Sequence, residues 1–236
     1  MENNFTLQIC GHVYNPGAHW KKYHFYLTNR IHYIFSGTVY YKGIKKLKKN
    51  HLYIFPANPD FNVEQSDKDP VDHIYFDFIS HQTLKIKDYI EIDVREIDGL
   101  PELLESAGKN LTLDKVTHSL GSNYFNILME LIKNRIPLFK FKSHFTQDAI
   151  QYIHQHNFDE LSVKNIAEKL NVNVDHFIRC FKNDTGLTPH KYINLYKADM
   201  ATTFLNNGKS VKETASLLGF ASSSSFSTFY KTVHIS

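Results

Sequence analysis

The sequence predicts an α+β chain, a β-rich N-terminal half followed by an all-helical C-terminal part, and three observations carry that assignment. Short β-branched and aromatic runs fill residues 5 to about 79; from about residue 100 the apolar period lengthens to three and four; and residues 162–182 recur at 210–231. With 236 residues, 42% apolar and 14% aromatic side chains against 10 Gly and 7 Pro, the chain can build two cores rather than stay disordered. No run of about 18 apolar residues offers a membrane span, and the polar start Met1-Glu2-Asn3-Asn4 lacks the pattern of a signal peptide. Cys10 and Cys180 form no Cys-x-x-Cys arrangement, which points to a reducing compartment and a cytoplasmic location. A net charge of +3 does not by itself announce a nucleic-acid binder, so the placement of charge must decide.

In the first half, strands are expected over residues 6–10, 23–27, 31–35, 38–41, 51–55 and 74–79. Ser36-Gly37 reads as a tight hairpin, Lys42-Gly43 as another turn, and the Pro56 to Pro59 segment as a strand stop. Aromatic residues at strand period, among them Phe25, Phe35 and Phe55, suit either an ordinary core or a pocket; the expected effector contacts are Trp20, His24, Arg30, Tyr33 and Tyr53. Lys42, Lys45, Lys46, Lys48 and Lys49 straddle a turn, which makes a solvated hairpin or the rim of a site for an anion. Seven histidines lie in this half, but no His-x-His precedes a downstream Glu, so neither a metal nor a cofactor is expected.

Tyr124, Phe125, Leu128, Met129, Leu131 and Ile132 then mark one face of an amphipathic helix stopped by Pro137. Periodicity leaves two partners open for Phe125, Leu128, Met129 and Ile132: the chain's own β-half, or a second copy in a homodimer. A linker near residues 140–143 leads on.

The repeat matches Ser162, Val163, Lys164, Ala167 and Leu170 with Ser210, Val211, Lys212, Ala215 and Leu218 at an offset of 48, then Phe177, Phe181 and Lys182 with Phe226, Tyr230 and Lys231 at 49. Each copy reads as helix, turn, helix. Ser162 and Ser210 are N-cap residues, the second completed by Glu213, and Asn171 and Gly219 take the left-handed backbone that closes a helix. Phe177, Cys180 and Phe181 face inward in one copy, Phe226, Phe229 and Tyr230 in the other. Between the copies Thr188 caps, Pro189 starts and Gly208 ends a helix over residues 189–207.

These paired copies, Gly219-Phe220, the F-x-x-x-[F/Y]-K pattern and the stretch FKNDTGLTPHKYI make the chain resemble AraC/XylS-type bacterial transcription regulators over residues 144–236. The β-half resembles the family's cupin-like regulatory domain through HYIFSGTVYYKG, NHLYIFPANP and VDHIYFDF. The resemblance implies an N-terminal cupin-like β-barrel with packing helices, then an all-α domain of two helix-turn-helix units joined by a long helix. The expected division is 1–100 for the β regulatory domain, 101–143 for a helical dimerisation or packing segment with its linker, and 144–236 for DNA binding. It also implies a further short segment after Ser236, with fraying beyond Lys231 where that segment is lacking.

A second helix of such a unit enters the major groove. On the first copy the outward set is Asp175, Ile178, Arg179 and Lys182. Arg179 is the strongest base reader, since a guanidinium bridges O6 and N7 of guanine, unless an ion pair with Asp175 holds it; Lys182 suits a phosphate. On the second copy Ser223, Ser224, Ser227 and Thr228 offer short hydroxyls, with Lys231 and Thr188 set for the DNA backbone. Thr228 and Lys197 stand where the family commonly has arginine.

Gly208-Lys209-Ser210 lacks the earlier glycine and the preceding strand of a phosphate loop, and no G-x-S-x-G or H-E-x-x-H occurs, so no enzyme is expected. The expected function is a DNA-binding transcription regulator, an activator by resemblance, that acts on double-stranded promoter DNA under a small-molecule effector, as a homodimer, with RNA polymerase as a further partner and no membrane. The alternatives are a cupin-type small-molecule or metal-binding protein or enzyme with a non-functional helical tail, and a protein-interaction module.

Overall fold

A computed structural model describes residues 5–17, 26–57, 61–80, 83–84, 86, 88–133, 139–140 and 144–235. The chain divides into two compact units, one made of Met1–His24, Thr28–Ser80 and Leu84–Phe139, the other of Phe25–Leu27, His81–Thr83 and Lys140–Ser236.

The first unit contains β1 (Phe5–Tyr14), β2 (Asn29–Ser36), β3 (Val39–Tyr41), β4 (Lys45–Lys46), β5 (His51–Phe55), β6 (Val63–Gln65) and β7 (Asp72–Ser80). After the two-residue β8 (Thr83–Leu84) come β9 (Ile90–Asp93), α1 (Leu100–Asn110), α2 (His118–Lys133) and the short β10 (Phe139–Lys140). An antiparallel sheet runs in the order β1-β7-β2-β5-β9, and a smaller one in the order β4-β3-β6. These sheets do not close into the expected barrel. Ser36-Gly37 is not a hairpin turn either, because β2 pairs with β5 and β7 while β3 pairs with β4 and β6. It is the corner between the sheets: Gly37 has φ 87°, and a Cβ there would lie 2.2 Å from the Pro70 carbonyl oxygen. Lys42-Gly43 does form the β3–β4 turn, both residues at positive φ.

Alternation along the strands sends side chains to two different cores. Ile31, Tyr33, Leu52, Ile54, Phe76 and Phe78 pack with Leu104 and Ala107 of α1 and with Phe125, Leu128, Met129 and Ile132 of α2. The helix lies close on β1, since a Cβ on Gly121 would meet the Cys10 sulfur at 2.2 Å. Phe125, Leu128, Met129 and Ile132 are all under 5% exposed. The dimer assignment for these four is therefore corrected: burying four large apolar groups against the chain's own sheet is worth about 2 kcal/mol each, and none is left for a partner.

The opposite face of the large sheet packs Ile34, Tyr53 and Phe55 against Val39, Tyr41 and Val63 of the small one. Sequence periodicity missed β4, β6 and β9, each of four residues or fewer, because a two- to four-residue strand carries too little alternation to read. Residues 23–25 of the expected strand 23–27, together with Pro137, lie outside the described residues; Tyr26 and Leu27 are not in a strand.

The second unit holds α3 (His144–Gln155), α4 (Val163–Lys169), α5 (Val174–Thr185), α6 (Pro189–Asn206), α7 (Val211–Leu217) and α8 (Ser223–Ile235). Leu27 and Tyr26 belong to it through Asp199 of α6, whose fully buried carboxylate accepts their backbone N–H groups at 2.8 and 2.7 Å. The Tyr26 hydroxyl donates to the Val233 carbonyl at 2.8 Å, and α8 extends to Ile235. Among the described residues no helix is long and apolar enough to cross a membrane.

Candidate nucleic-acid interface

The outer faces of α5 and α8 are set by what their inner faces bury. In the first pair, the Ser162 oxygen accepts from the Asn165 N–H and starts α4, while Ile166 and Ala167 are fully buried. Asn171 closes that helix at φ 53°, and the Asn173 side chain, an N-cap that the sequence reasoning missed, accepts from the N–H groups of Asp175 and His176 to start α5. Phe177 and Phe181 are fully buried, edge-on to Phe145 of α3 and Tyr192 of α6 respectively. Opposite them Asp175, Arg179 and Lys182 are exposed and Ile178 is half-buried.

On this face one alternative is not realised and one expectation is corrected. Arg179 does not pair with Asp175; its guanidinium donates to Nδ1 of His176 at 3.3 Å. Cys180 is not an inward group but half-buried, with its sulfur 3.6 Å from Nε2 of the same imidazole. A cysteine at i, i+3 from Phe177 sits at the border of the stripe, where the neighbouring side chain decides which way it leans.

The second pair repeats the frame. Ser210 and Glu213 form a reciprocal capping box, and these hydrogen bonds hold the Glu213 carboxyl below its usual range. Thr214 and Ala215 are buried, and Gly219 closes α7 at φ 74°, with its Cβ position only 3.1 Å from the Asp159 backbone nitrogen. Phe226 is buried with Phe220 and Tyr230 around it. Ser224, Thr228 and Lys231 are exposed, Ser223 and Ser227 half-buried. Ser222 and Ser225, which the sequence reasoning did not single out, cap α8 reciprocally: the Ser225 N–H donates to the Ser222 hydroxyl and the Ser225 hydroxyl to the Ser222 carbonyl.

Helix α6 links the pairs. It is 18 residues long, about 27 Å at 1.5 Å per residue. The Thr188 oxygen accepts from the Lys191 N–H, so this hydroxyl is engaged as a cap. Lys197 is half-buried between the rings of Phe158 and Phe220, 5.9 and 5.3 Å from their centroids, and burial lowers its pKa against the pull of Asp159. A lysine clamped there braces the second pair against the turn before α4.

Chemically the two outer faces present mostly donors: a guanidinium and an ammonium beside the Asp175 carboxylate on α5, hydroxyls and an ammonium on α8. Such a surface fits phosphate oxygens and the acceptor edges of bases.

Of the expected effector contacts, Trp20 and His24 lie outside the described residues, as does Phe25. Arg30 and Tyr53 face the small sheet, where the Arg30 guanidinium lies over Phe61 at 4.5 Å and 3.9 Å from a carboxylate oxygen of Asp77. Burial pushes the Asp77 carboxyl up to about 6, and the stacked, buried rings of His32 and His73 are held below the ordinary histidine range. Tyr33 does not join them; it points to the helix side of the sheet. The lysine turn is salt-bridged rather than open: Lys42 pairs with Asp88, and Lys45 and Lys48 both pair with Glu91. Among the described residues no group of three or more His, Cys, Asp or Glu is placed to hold a metal ion.

A family model described as a helix-turn-helix domain matches residues 166–234. The probable transcriptional regulator LumQ of Photobacterium leiognathi is 29% identical over 119 residues, 49% of this chain and 48% of that one. An uncharacterised HTH-type transcriptional regulator, YobQ of Bacillus subtilis, is 27% identical over 110 residues, 46% and 43% of the two chains. The chain thus spans about half the length of the curated relatives it matches. Among solved structures, ToxT from Vibrio cholerae aligns with TM-score 0.55 and 12% identity over 97% of this chain and 94% of that one. ToxT with a bound unsaturated fatty acid aligns at 0.54 and 13%, over 98% and 93%. The helical unit therefore carries a helix-turn-helix domain, and the chain as a whole has the mixed α+β fold of ToxT, an N-terminal sheet domain followed by a helical one.

Proposed function

We propose that the protein is a sequence-specific, double-stranded-DNA-binding transcription regulator in which α4/α5 and α7/α8 act as two helix-turn-helix units. The observation that carries this is the outer face of α5, where Arg179 and Lys182 project opposite the buried Phe177 and Phe181 inside a matched helix-turn-helix domain. Arg179 is assigned to a base edge and Ile178 and Asp175 to its surroundings; Ser223, Ser224, Ser227 and Thr228 take hydroxyl contacts, and Lys182 and Lys231 take phosphates. Thr188 can still receive a phosphate beside its capping role. The working division is 1–100, 101–143 and 144–236; the relatives' names support transcription regulation rather than catalysis, and a cytoplasmic location goes with that role.

The N-terminal unit is assigned to effector sensing. ToxT has been solved with an unsaturated fatty acid, so long-chain carboxylic acids are the first compounds to test, with Arg30 as the cation for the carboxylate. Homodimer formation would use the flank of α2 around Ile127, which is 51% exposed, while Leu120, Tyr124 and Leu131 on the same stripe are partly buried against the unit's own core. Contact with RNA polymerase follows if the protein activates.

Selection of bound duplexes from a random pool tests the central assignment. A recovered consensus, with binding that weakens log-linearly as salt rises, supports it; indifferent, salt-insensitive retention overturns it.

A further inference from the structure

We propose that His176 is a positioning residue that sets the direction from which Arg179 reads its base; the inference rests on the DNA-reading role of α5 given above. Arginine has donors only, so the 3.3 Å contact between its Nη2 and Nδ1 of His176 makes Nδ1 the acceptor and places the ring proton on Nε2. The Cys180 sulfur packs on the imidazole, 3.6 Å from Nε2 and 3.8 Å from Nδ1, and the ring also lies against Phe145 of α3 with centroids 6.2 Å apart. The imidazole is therefore held from both sides, and its backbone N–H is bound by the Asn173 cap. Asp175, one turn before Arg179 on the same helix, is the competing partner, and an ion pair with it would fold the guanidinium back along the helix. The histidine acceptor gives Arg179 an alternative anchor that uses one terminal NH2 and leaves the remaining donors of the planar group for two acceptors of a base. Pre-setting a long side chain in this way lowers the ordering cost at the moment of binding.

The test uses the full-length protein and its selected duplex, with each base pair replaced in turn, and compares His176→Ala, His176→Asn, Arg179→Ala and the double substitution. Because His176 is exposed, unchanged melting of the variants serves as the folding control. The expected result is that His176→Ala lowers discrimination at the same base pair as Arg179→Ala, by about two- to tenfold as one lost hydrogen bond allows. His176→Asn, whose amide oxygen replaces the acceptor, restores most of it, and the double variant discriminates no worse than Arg179→Ala. Loss at a different base pair, no loss, or additive losses in the double variant would each overturn the positioning role. If the wild type shows no consensus, or Arg179→Ala changes no base preference, it is the DNA-reading assignment that fails instead.

Discussion

The two helix pairs of the C-terminal unit share a frame and differ in their faces. Both start on a serine cap, bury a small alanine in the first helix (Ala167, Ala215) and turn through a left-handed residue, and both anchor the second helix with an inward phenylalanine, Phe177 or Phe226. On the outside, α5 shows an arginine steadied by a histidine, whereas α8 shows short hydroxyls. The difference teaches that the interior of a helix pair fixes its buried and capping residues, while the outer face carries no such packing constraint. A guanidinium can separate one base pair from another by two directed bonds, while serine and threonine accept or donate to almost anything within reach. The pairs are therefore expected to divide the work, the first supplying sequence preference and the second grip and fit to DNA shape.

The strongest way to break the comparison is through the anchors. Phe177→Ala and Phe226→Ala should each cost about 3–5 kcal/mol of stability in urea unfolding; a large cost at one position alone would show that the frames are not equivalent. Next comes the reading face. Arg179→Ala should remove about 1–3 kcal/mol of preference for one base pair, while Ser224→Ala and Thr228→Ala should leave the consensus unchanged. A consensus that shifts with the α8 variants would reverse the division. Conversely, Thr228→Arg should add a base preference in the second half-site, read by repeating the selection.

The caps give a smaller contrast. Ser162→Ala and Ser210→Ala should each destabilise by about 1 kcal/mol near neutral pH, but their pH dependence should differ. The Glu213 carboxyl is held below its usual value in the folded state, so its contribution is present above the unfolded value near 4.5 and fades as pH falls through the lower, folded one. The third residue of α4 is Asn165, which does not titrate. The cost of Ser210→Ala should therefore shrink in acid and that of Ser162→Ala should hold, as followed by unfolding at pH 7 and pH 3. The smallest expected effects are electrostatic. Lys182→Ala and Lys231→Ala should weaken cognate and random duplexes alike and each reduce the slope of log affinity against log salt by about one; a change in consensus would contradict their backbone role.

Local signals made much of this visible beforehand. Serine caps, the positive-φ residues Asn171, Gly208 and Gly219, and Pro189 act over three or four residues, so their pattern survives in a linear string. The α5 face was legible for the same reason, yet His176 and the outward lean of Cys180 were not, because a side chain one residue off the stripe is directed by its neighbours rather than by period. The apolar stripe of α2 was visible, but its partner was not. Periodicity states that a face must be covered without stating by what, and the covering turned out to be Leu7, Cys10 and Phe78 of the same unit. The open pair of sheets in place of a barrel follows from very short strands such as Lys45–Lys46, which are too brief to announce their pairing.

By itself the sequence determined the α+β order, the helix pairs with their caps and turns, and the chemistry displayed on the two outer faces, since each depends on residues within a few positions of one another. Only the tertiary structure decided that Asp199 would gather the amides of Tyr26 and Leu27 from some 170 positions away, and that Lys197 would lie between two aromatic rings. A buried carboxylate or ammonium must find whatever donor or ring the fold brings to it, and that partner is set by chain topology, which composition and spacing do not encode.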